Sequence, residues 1–105
     1  MSNVVWVEDA DELRSILDSA HEVVVDFTAP SWCRPCQQFA PHFDSAADKS
    51  DATFVAVDVD KAEWAMVEYG VKGVPTVMHY RNGEYTQNLQ ERTVVKLLSE
   101  IDSIR

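Results

Sequence analysis

A short apolar run at residues 23–27, Val-Val-Val-Asp-Phe, limits the folds open to this chain. It lies within a segment from Glu22 to Thr28, is rich in β-branched residues and is interrupted only by Asp26, a pattern that predicts a strand. Neighbouring side chains of a strand point to opposite faces, so a run that is apolar on both faces predicts a central strand covered from both sides. The chain is therefore expected to build layers around one buried strand.

The rest of the sequence alternates strand-like and helix-like patterns. Further strands are predicted at residues 4–7, 53–58, 76–81 and 84–89, and helices at residues 10–20, 33–49, 61–69 and from Val94 to Ile104. Asn82-Gly83 is a hairpin signal, because both residues tolerate positive φ. The order β-α-β-α-β-α-β-β-α predicts an α/β fold with helices on both faces of the sheet and a final antiparallel pair. A chain of 105 residues is expected to form a single domain, residues 1–105.

Charge and apolar patterning exclude several classes of function. The chain has 18 acidic and 9 basic residues and a net charge of −9, which argues against direct binding to nucleic acid or to anionic membranes. Its apolar runs are far shorter than the ~20 residues of a membrane span, and the N-terminus lacks the basic region of a signal peptide. A cytoplasmic location is therefore expected. Two cysteines are too few for a secreted disulfide scaffold.

The main chemical signal is the motif Trp32-Cys33-Arg34-Pro35-Cys36, which follows the buried strand where a helix begins. Cysteines at i and i+3 are close enough to form a small disulfide ring. Cys33 falls near the helix N-cap, where backbone N–H groups and the helix dipole stabilise a thiolate. Cys36 lies one turn further in, which suits a shielded resolving thiol. Pro35 fits the first turn, where a missing N–H costs nothing.

Two structural thiols, or half of a zinc site, are the alternatives to a redox pair. A four-ligand zinc site needs two more ligands, and the histidines His21, His42 and His79 are not paired at ligand spacing. The sequence therefore favours redox chemistry with no metal. His79, in the strand at residues 76–81, is expected to be a partly buried histidine without a functional role.

Outside the cysteine pair, the sequence itself indicates a functional role for two residues, Asp26 and Trp32. A carboxyl in a strand that is apolar on both sides is desolvated, which raises its pKa and suits proton transfer near a thiol pair. The alternative is an aspartate at a sheet edge facing water. Trp32 could be a core residue, but its position between a loop and a cysteine favours the rim of the site.

Several motifs together resemble the thioredoxin family over residues 5–89. They are Val25-Asp26-Phe27, Trp32-Cys33-Arg34-Pro35-Cys36, Ala40-Pro41, Val57-Asp58-Val59-Asp60, Tyr69-Gly70-Val71, Gly73-Val74-Pro75-Thr76 and Asn82-Gly83-Glu84. The resemblance implies a central five-stranded mixed sheet flanked by four helices. It also implies a dithiol that reduces protein disulfides without a cofactor, a thioredoxin reductase as electron donor, and a monomer.

By position, the resemblance makes Cys33 the attacking thiol, Cys36 the resolving thiol and Asp26 the buried acid that helps to deprotonate Cys36. It makes Pro75 the cis-proline beside the site. Trp32 and the segment Val74-Pro75-Thr76 are then expected to form the groove for an extended substrate segment.

The chain departs from the family pattern at several places, one of which is a loop before Trp32, Thr28-Ala29-Pro30-Ser31, that is one residue longer than usual. Arg34 stands where glycine is common, and this favours a dithiol mildly more oxidising than a Gly-Pro motif, at the extreme an oxidase or isomerase. The loop at residues 89–93 lacks the usual glycine, which leaves open a binding subunit that holds a partner without redox chemistry. A lysine often found near the buried acid is also absent, with Val57 at the expected position.

Overall fold

The computed structural model describes residues 3–104. Over this range the chain forms β1 (Val4–Trp6), α1 (Ala10–Ser19), β2 (Glu22–Thr28), α2 (Arg34–Lys49), β3 (Thr53–Asp58), α3 (Trp64–Tyr69), β4 (Thr76–Arg81), β5 (Glu84–Asn88) and α4 (Val94–Ile104). This is the predicted order of elements. None of the helices between residues 3 and 104 is long and apolar enough to cross a membrane.

The five strands form one mixed sheet in the order β1-β3-β2-β4-β5. β2 occupies the centre, parallel to β3 and antiparallel to β4, and all seven of its residues are buried. β4 and β5 form the hairpin predicted from Asn82-Gly83, with positive φ at both turn residues. The prediction of a central strand covered on both sides is confirmed.

Two apolar layers cover the sheet, and β2 contributes to both. Val23, Val25 and Phe27 pack in the layer that contains α1 and α3. Val24 packs in the other layer, against α2 and α4, and alternation along the strand turns Asp26 to the same face. The buried carboxyl therefore lies beneath the helix that begins after Cys33.

Some predicted boundaries differ from the structure by a few residues. Cys33 caps α2, which begins at Arg34. The third helix begins at Trp64 rather than at Lys61, because the chain first makes tight turns in which Lys61 donates its N–H to the carbonyl of Asp58. Ala62 likewise donates its N–H to the carbonyl of Val59, so the bonds before the helix join residues three apart rather than four.

A buried polar cluster lies on the face of the sheet covered by α2 and α4. His79 is fully buried rather than partly buried, with Nε2 2.7 Å from Oε2 of Glu22 and Nδ1 2.6 Å from Oγ1 of Thr86. Arg81 donates to the same Glu22 oxygen at 3.1 Å. The pairing of β4 with β5 shifts register between His79 and Tyr80, which leaves Thr86 as a bulge facing the histidine. Sequence patterning gave no sign of Glu22 as a partner.

Candidate active site

The two cysteines lie at the junction of β2 and α2. Cys33 is the N-cap of α2, and its Sγ accepts the backbone N–H of Cys36 at 3.3 Å. Their Cα atoms are 5.2 Å apart and their side chains form a disulfide. Pro35 lies in the first turn of the helix. The exposed fraction is 4% for Cys33 and 1% for Cys36, so Cys36 is the more shielded of the two residues.

The segment before β4 lies against the disulfide. The Sγ atom of Cys33 is 3.7 Å from the carbonyl oxygen of Val74, and the Val74–Pro75 peptide bond is cis. Thr76 donates its hydroxyl to the carbonyl of Gly73 at 2.6 Å, which closes the loop immediately before the strand. The structure thus brings residues 74–76 beside the cysteine pair.

Trp32 lies at the rim of the site and is 62% exposed. Its indole Nε1 donates a 2.8 Å hydrogen bond to Oδ2 of Asp60, which follows β3. A cavity of about 320 Å³ lies between Trp32, Met66 and Val74. Asp60 lies just beyond the end of β3, and nothing in its local sequence indicates that it orients the indole.

Asp26 lies beneath the disulfide, in the wall of a cavity of about 300 Å³ that Cys36 and Asp44 also line. It is 3% exposed, and its Oδ1 has no hydrogen-bond partner within residues 3–104. Burial raises the pKa of Asp26 from 3.8 to about 7, while the charge of Arg92 lowers it and that of Asp44 raises it. A carboxyl with this pKa can exchange protons near neutral pH.

The residue of β3 that faces Asp26 is Ala56, not Val57. Asp26 and Ala56 are register partners, and both line the cavity beneath the disulfide. Val57 pairs with Phe27 and packs in the opposite layer, against α1 and α3. The assignment of Val57 to the position of the missing lysine was therefore wrong by one residue, and one residue along a strand reverses the face.

Two arginines stand near the disulfide. Arg34 is exposed in the first turn of α2, directly after Cys33. Arg92, in the loop before α4, places its guanidinium Cζ 5.2 Å from the centre of the Phe39 ring. No group of three or more His, Cys, Asp or Glu side chains that could hold a metal ion occurs between residues 3 and 104.

Fold and site together define a class of protein, the thiol–disulfide oxidoreductases built on an α/β sheet. The family model "Thioredoxin" matches residues 4–103, and the chain belongs to the thioredoxin family, whose members are disulfide oxidoreductases. It is 40% identical over 99 residues to thioredoxin-1 of Schizosaccharomyces pombe, and the aligned segment covers 93% of this chain and 95% of that protein. It is also 40% identical over 83 residues to chicken (Gallus gallus) thioredoxin, covering 78% of each chain. The crystal structure of Schistosoma mansoni thioredoxin superposes with a TM-score of 0.85 at 33% identity and covers all of both chains.

Proposed function

We propose that this protein reduces disulfides in other proteins by thiol–disulfide exchange through Cys33 and Cys36, without a bound cofactor. The observation that carries the proposal is the position of the disulfide: one sulfur caps α2, and the other shares a cavity with a buried carboxyl. The N-terminus of the helix stabilises a thiolate on Cys33 in the reduced protein. Cys33 is therefore the attacking residue.

The first step forms a mixed disulfide. The Cys33 thiolate attacks one sulfur of the substrate disulfide, and the other substrate sulfur leaves as a thiolate that takes up a proton. Residues 74–76 support this step, because the Val74 carbonyl lies 3.7 Å from the attacking sulfur and the adjoining backbone can hold an extended substrate segment. Trp32 lines one cavity together with Val74, so its indole can contact the same segment.

The second step releases the reduced substrate. Asp26, with its pKa raised to about 7 by burial, accepts the proton of the Cys36 thiol through the cavity that both residues line. The Cys36 thiolate attacks the Cys33 sulfur, the mixed disulfide breaks, and the second substrate sulfur leaves and is protonated. Two electrons pass from the dithiol to the substrate, and the oxidised pair returns to the dithiol through an external reductant.

Single cysteine variants test the order of attack. Cys36→Ser is expected to accumulate a mixed disulfide with one chain of insulin, because Cys33 can still attack an insulin disulfide and nothing resolves the adduct. Cys33→Ser is expected to be inactive and to trap nothing. The adduct is measured by mass spectrometry after incubation with insulin. Trapping by Cys33→Ser instead would reverse the assigned roles. Parent protein that does not accelerate the reduction of insulin by dithiothreitol would overturn the proposal.

We infer further that Arg34 makes the dithiol mildly more oxidising than a Gly-Pro motif would. Its fixed positive charge favours the Cys33 thiolate, which exists only in the reduced protein. At about 6 Å in water this attraction is ~0.7 kcal/mol, which corresponds to ~15 mV for a two-electron couple. Arg34→Gly is expected to lower the potential by this amount in a glutathione titration, and Arg34→Lys to retain it. A potential that Arg34→Gly leaves unchanged would contradict the inference.

The setting of this activity is part of the same proposal. The match of the family model to residues 4–103 supports one thioredoxin domain over this range, and the family membership supports a cytoplasmic monomer. Its substrates are disulfide-containing proteins, and its electron donor is a thioredoxin reductase. A coupled assay with NADPH and a thioredoxin reductase tests the donor, since insulin reduction without dithiothreitol depends on that enzyme.

A further inference from the structure

A third cavity lies beside Pro35 and Pro75, next to the loop that precedes α4, and the exchange reaction makes no use of it. Its volume is about 360 Å³. It is lined by Pro35, Gln38, Phe39, His42, Pro75 and Arg92. Pro35 stands between the two cysteines, and Pro75 follows the carbonyl that contacts Cys33. A polypeptide that presents its disulfide to Cys33 therefore passes the mouth of this cavity.

Arg92 is held in place at one end of its guanidinium. Nη1 donates to the carbonyl of Leu89 at 2.8 Å and to the carbonyl of Glu91 at 3.1 Å, and the group packs over the ring of Phe39. Nε and Nη2 carry three more N–H groups, and these have no acceptor among residues 3–104. An arginine fixed in this way loses little conformational entropy when its free edge binds a ligand.

The loop that carries Arg92 is itself anchored by α4. The carboxylate of Glu100 accepts the backbone N–H of Gln90 on both oxygens and the N–H of Glu91 on one, each at 3.0 Å. The loop therefore has a defined conformation although it lacks a glycine and regular secondary structure. Arg92 is presented by a rigid support, as a selective contact requires.

The charge at this cavity is opposite to that of the whole protein. The chain carries a net charge of −9, yet none of the side chains that line the cavity is a carboxylate. No carboxylate of residues 3–104 lies within ion-pair distance of Arg92. The positive charge of Arg92 lowers the pKa of the buried Asp26. The free guanidinium edge is a fork whose geometry matches a carboxylate.

The geometry points to a specificity pocket for an acidic residue of the substrate. We infer that the cavity receives the carboxylate of an Asp or Glu close to the substrate cysteine, and that Arg92 binds it through Nε and Nη2. This inference rests on the proposed reductase activity and names the substrates that the activity favours. Polypeptides with an acidic side chain beside their disulfide are then reduced faster than otherwise identical neutral ones.

Matched peptides test the inference. Each peptide carries one disulfide and one variable residue, which is Glu, Gln or Lys. This residue is placed in turn at each of the four positions before and the four positions after the attacked cysteine. The second-order rate constant is measured with pre-reduced protein. At one position Glu is expected to react roughly three- to tenfold faster than Gln, since hydrogen bonds to charged groups are worth more than neutral ones and solvent reduces the gain. Lys at that position is expected to react more slowly than Gln.

Variants assign the preference to Arg92. Arg92→Gln is expected to bring the Glu-to-Gln rate ratio close to one, and Arg92→Lys to retain part of it. The ratio cancels any change in Asp26, which acts on both peptides alike. Arg14→Gln makes the same change in net charge on α1, away from the site, and is expected to keep the parent ratio.

The outcomes separate the two proposals. Failure to reduce any peptide would overturn the reductase activity and the pocket with it. Equal rates for Glu and Gln at every position would overturn the pocket and leave the reductase activity standing. The pocket would also be refuted by a ratio that survives in Arg92→Gln.

Discussion

Replacing Asp26 with asparagine measures the free energy that the fold loses by burying an ionisable carboxyl. Burial raises the pKa of this group from 3.8 to about 7. Well below pH 3.8 the carboxyl is protonated in the folded and the unfolded chain, so it carries no penalty. As the pH rises toward about 7, the unfolded chain releases the proton and the folded chain keeps it, so stability falls. At 1.36 kcal/mol per pH unit, the interval corresponds to a loss on the order of 4 kcal/mol.

Asparagine has nearly the same shape and cannot ionise, so Asp26→Asn is expected to lack this fall. The free energy of unfolding is measured in urea at pH 4 and pH 8, with the disulfide oxidised so that the cysteines do not titrate. The parent is expected to lose about 4 kcal/mol more than the variant between the two pH values. An unpaired buried amide costs about 1–3 kcal/mol, so at pH 8 the variant is expected to be more stable by about 1–3 kcal/mol.

Comparing each protein with itself at two pH values removes the cost of the amide, which does not depend on pH. Asp48→Asn is the control, because it removes an exposed carboxyl from the same helix that covers Asp26. This control is expected to follow the parent closely. If Asp26→Asn loses as much stability between pH 4 and pH 8 as the parent does, the carboxyl is not desolvated and the reasoning fails.

Three further substitutions test other parts of the structure. Glu22→Ala leaves the buried His79 and the partly exposed Arg81 without their carboxylate, and it is expected to cost about 3–5 kcal/mol in urea unfolding. Glu84→Ala on the exposed β5 is expected to cost little, and similar losses would contradict the buried cluster. Glu100→Ala is expected to speed hydrogen exchange at the backbone amides of Gln90 and Glu91, because both amides donate hydrogen bonds to the Glu100 carboxylate. Unchanged exchange would show that other contacts hold the loop. Ala56→Lys places a cation on the wall that faces Asp26 and is expected to lower the pKa of that carboxyl in an NMR titration; no change would contradict the assignment of the facing residue.

Elements and their order could be predicted because they depend on local patterns. The run at residues 23–27 is apolar on both faces, and the structure buries it on both. Asp9 caps α1 by accepting the N–H of Asp11 at 2.8 Å, as a short acidic side chain at that position does. The position of the cysteine pair at a helix start follows from the same kind of local signal.

Contacts between distant strands could not be predicted in this way. Glu22 and His79 are separated by 57 positions and meet because β2 and β4 pair antiparallel in one register. The error between Ala56 and Val57 has the same origin, since the face of a residue depends on a register that one sequence does not reveal. Arg92 lies in a loop whose sequence has no periodic pattern of apolar residues, so no local signal predicts its position. Its place beside Pro75 depends on the contacts that anchor the loop to α4.

The two edges of the sheet are β1 and β5, and they govern how the folded protein meets other copies of itself. An open edge exposes N–H and C=O groups on which a foreign strand can pair and begin an aggregate. β1 has only three residues, and the bulge at Thr86 breaks the even spacing of β5. Although every residue of β5 is exposed, neither edge offers a long flat ladder. The bulge that turns Thr86 toward the buried histidine therefore also makes this edge of the sheet a poor template for fibril growth.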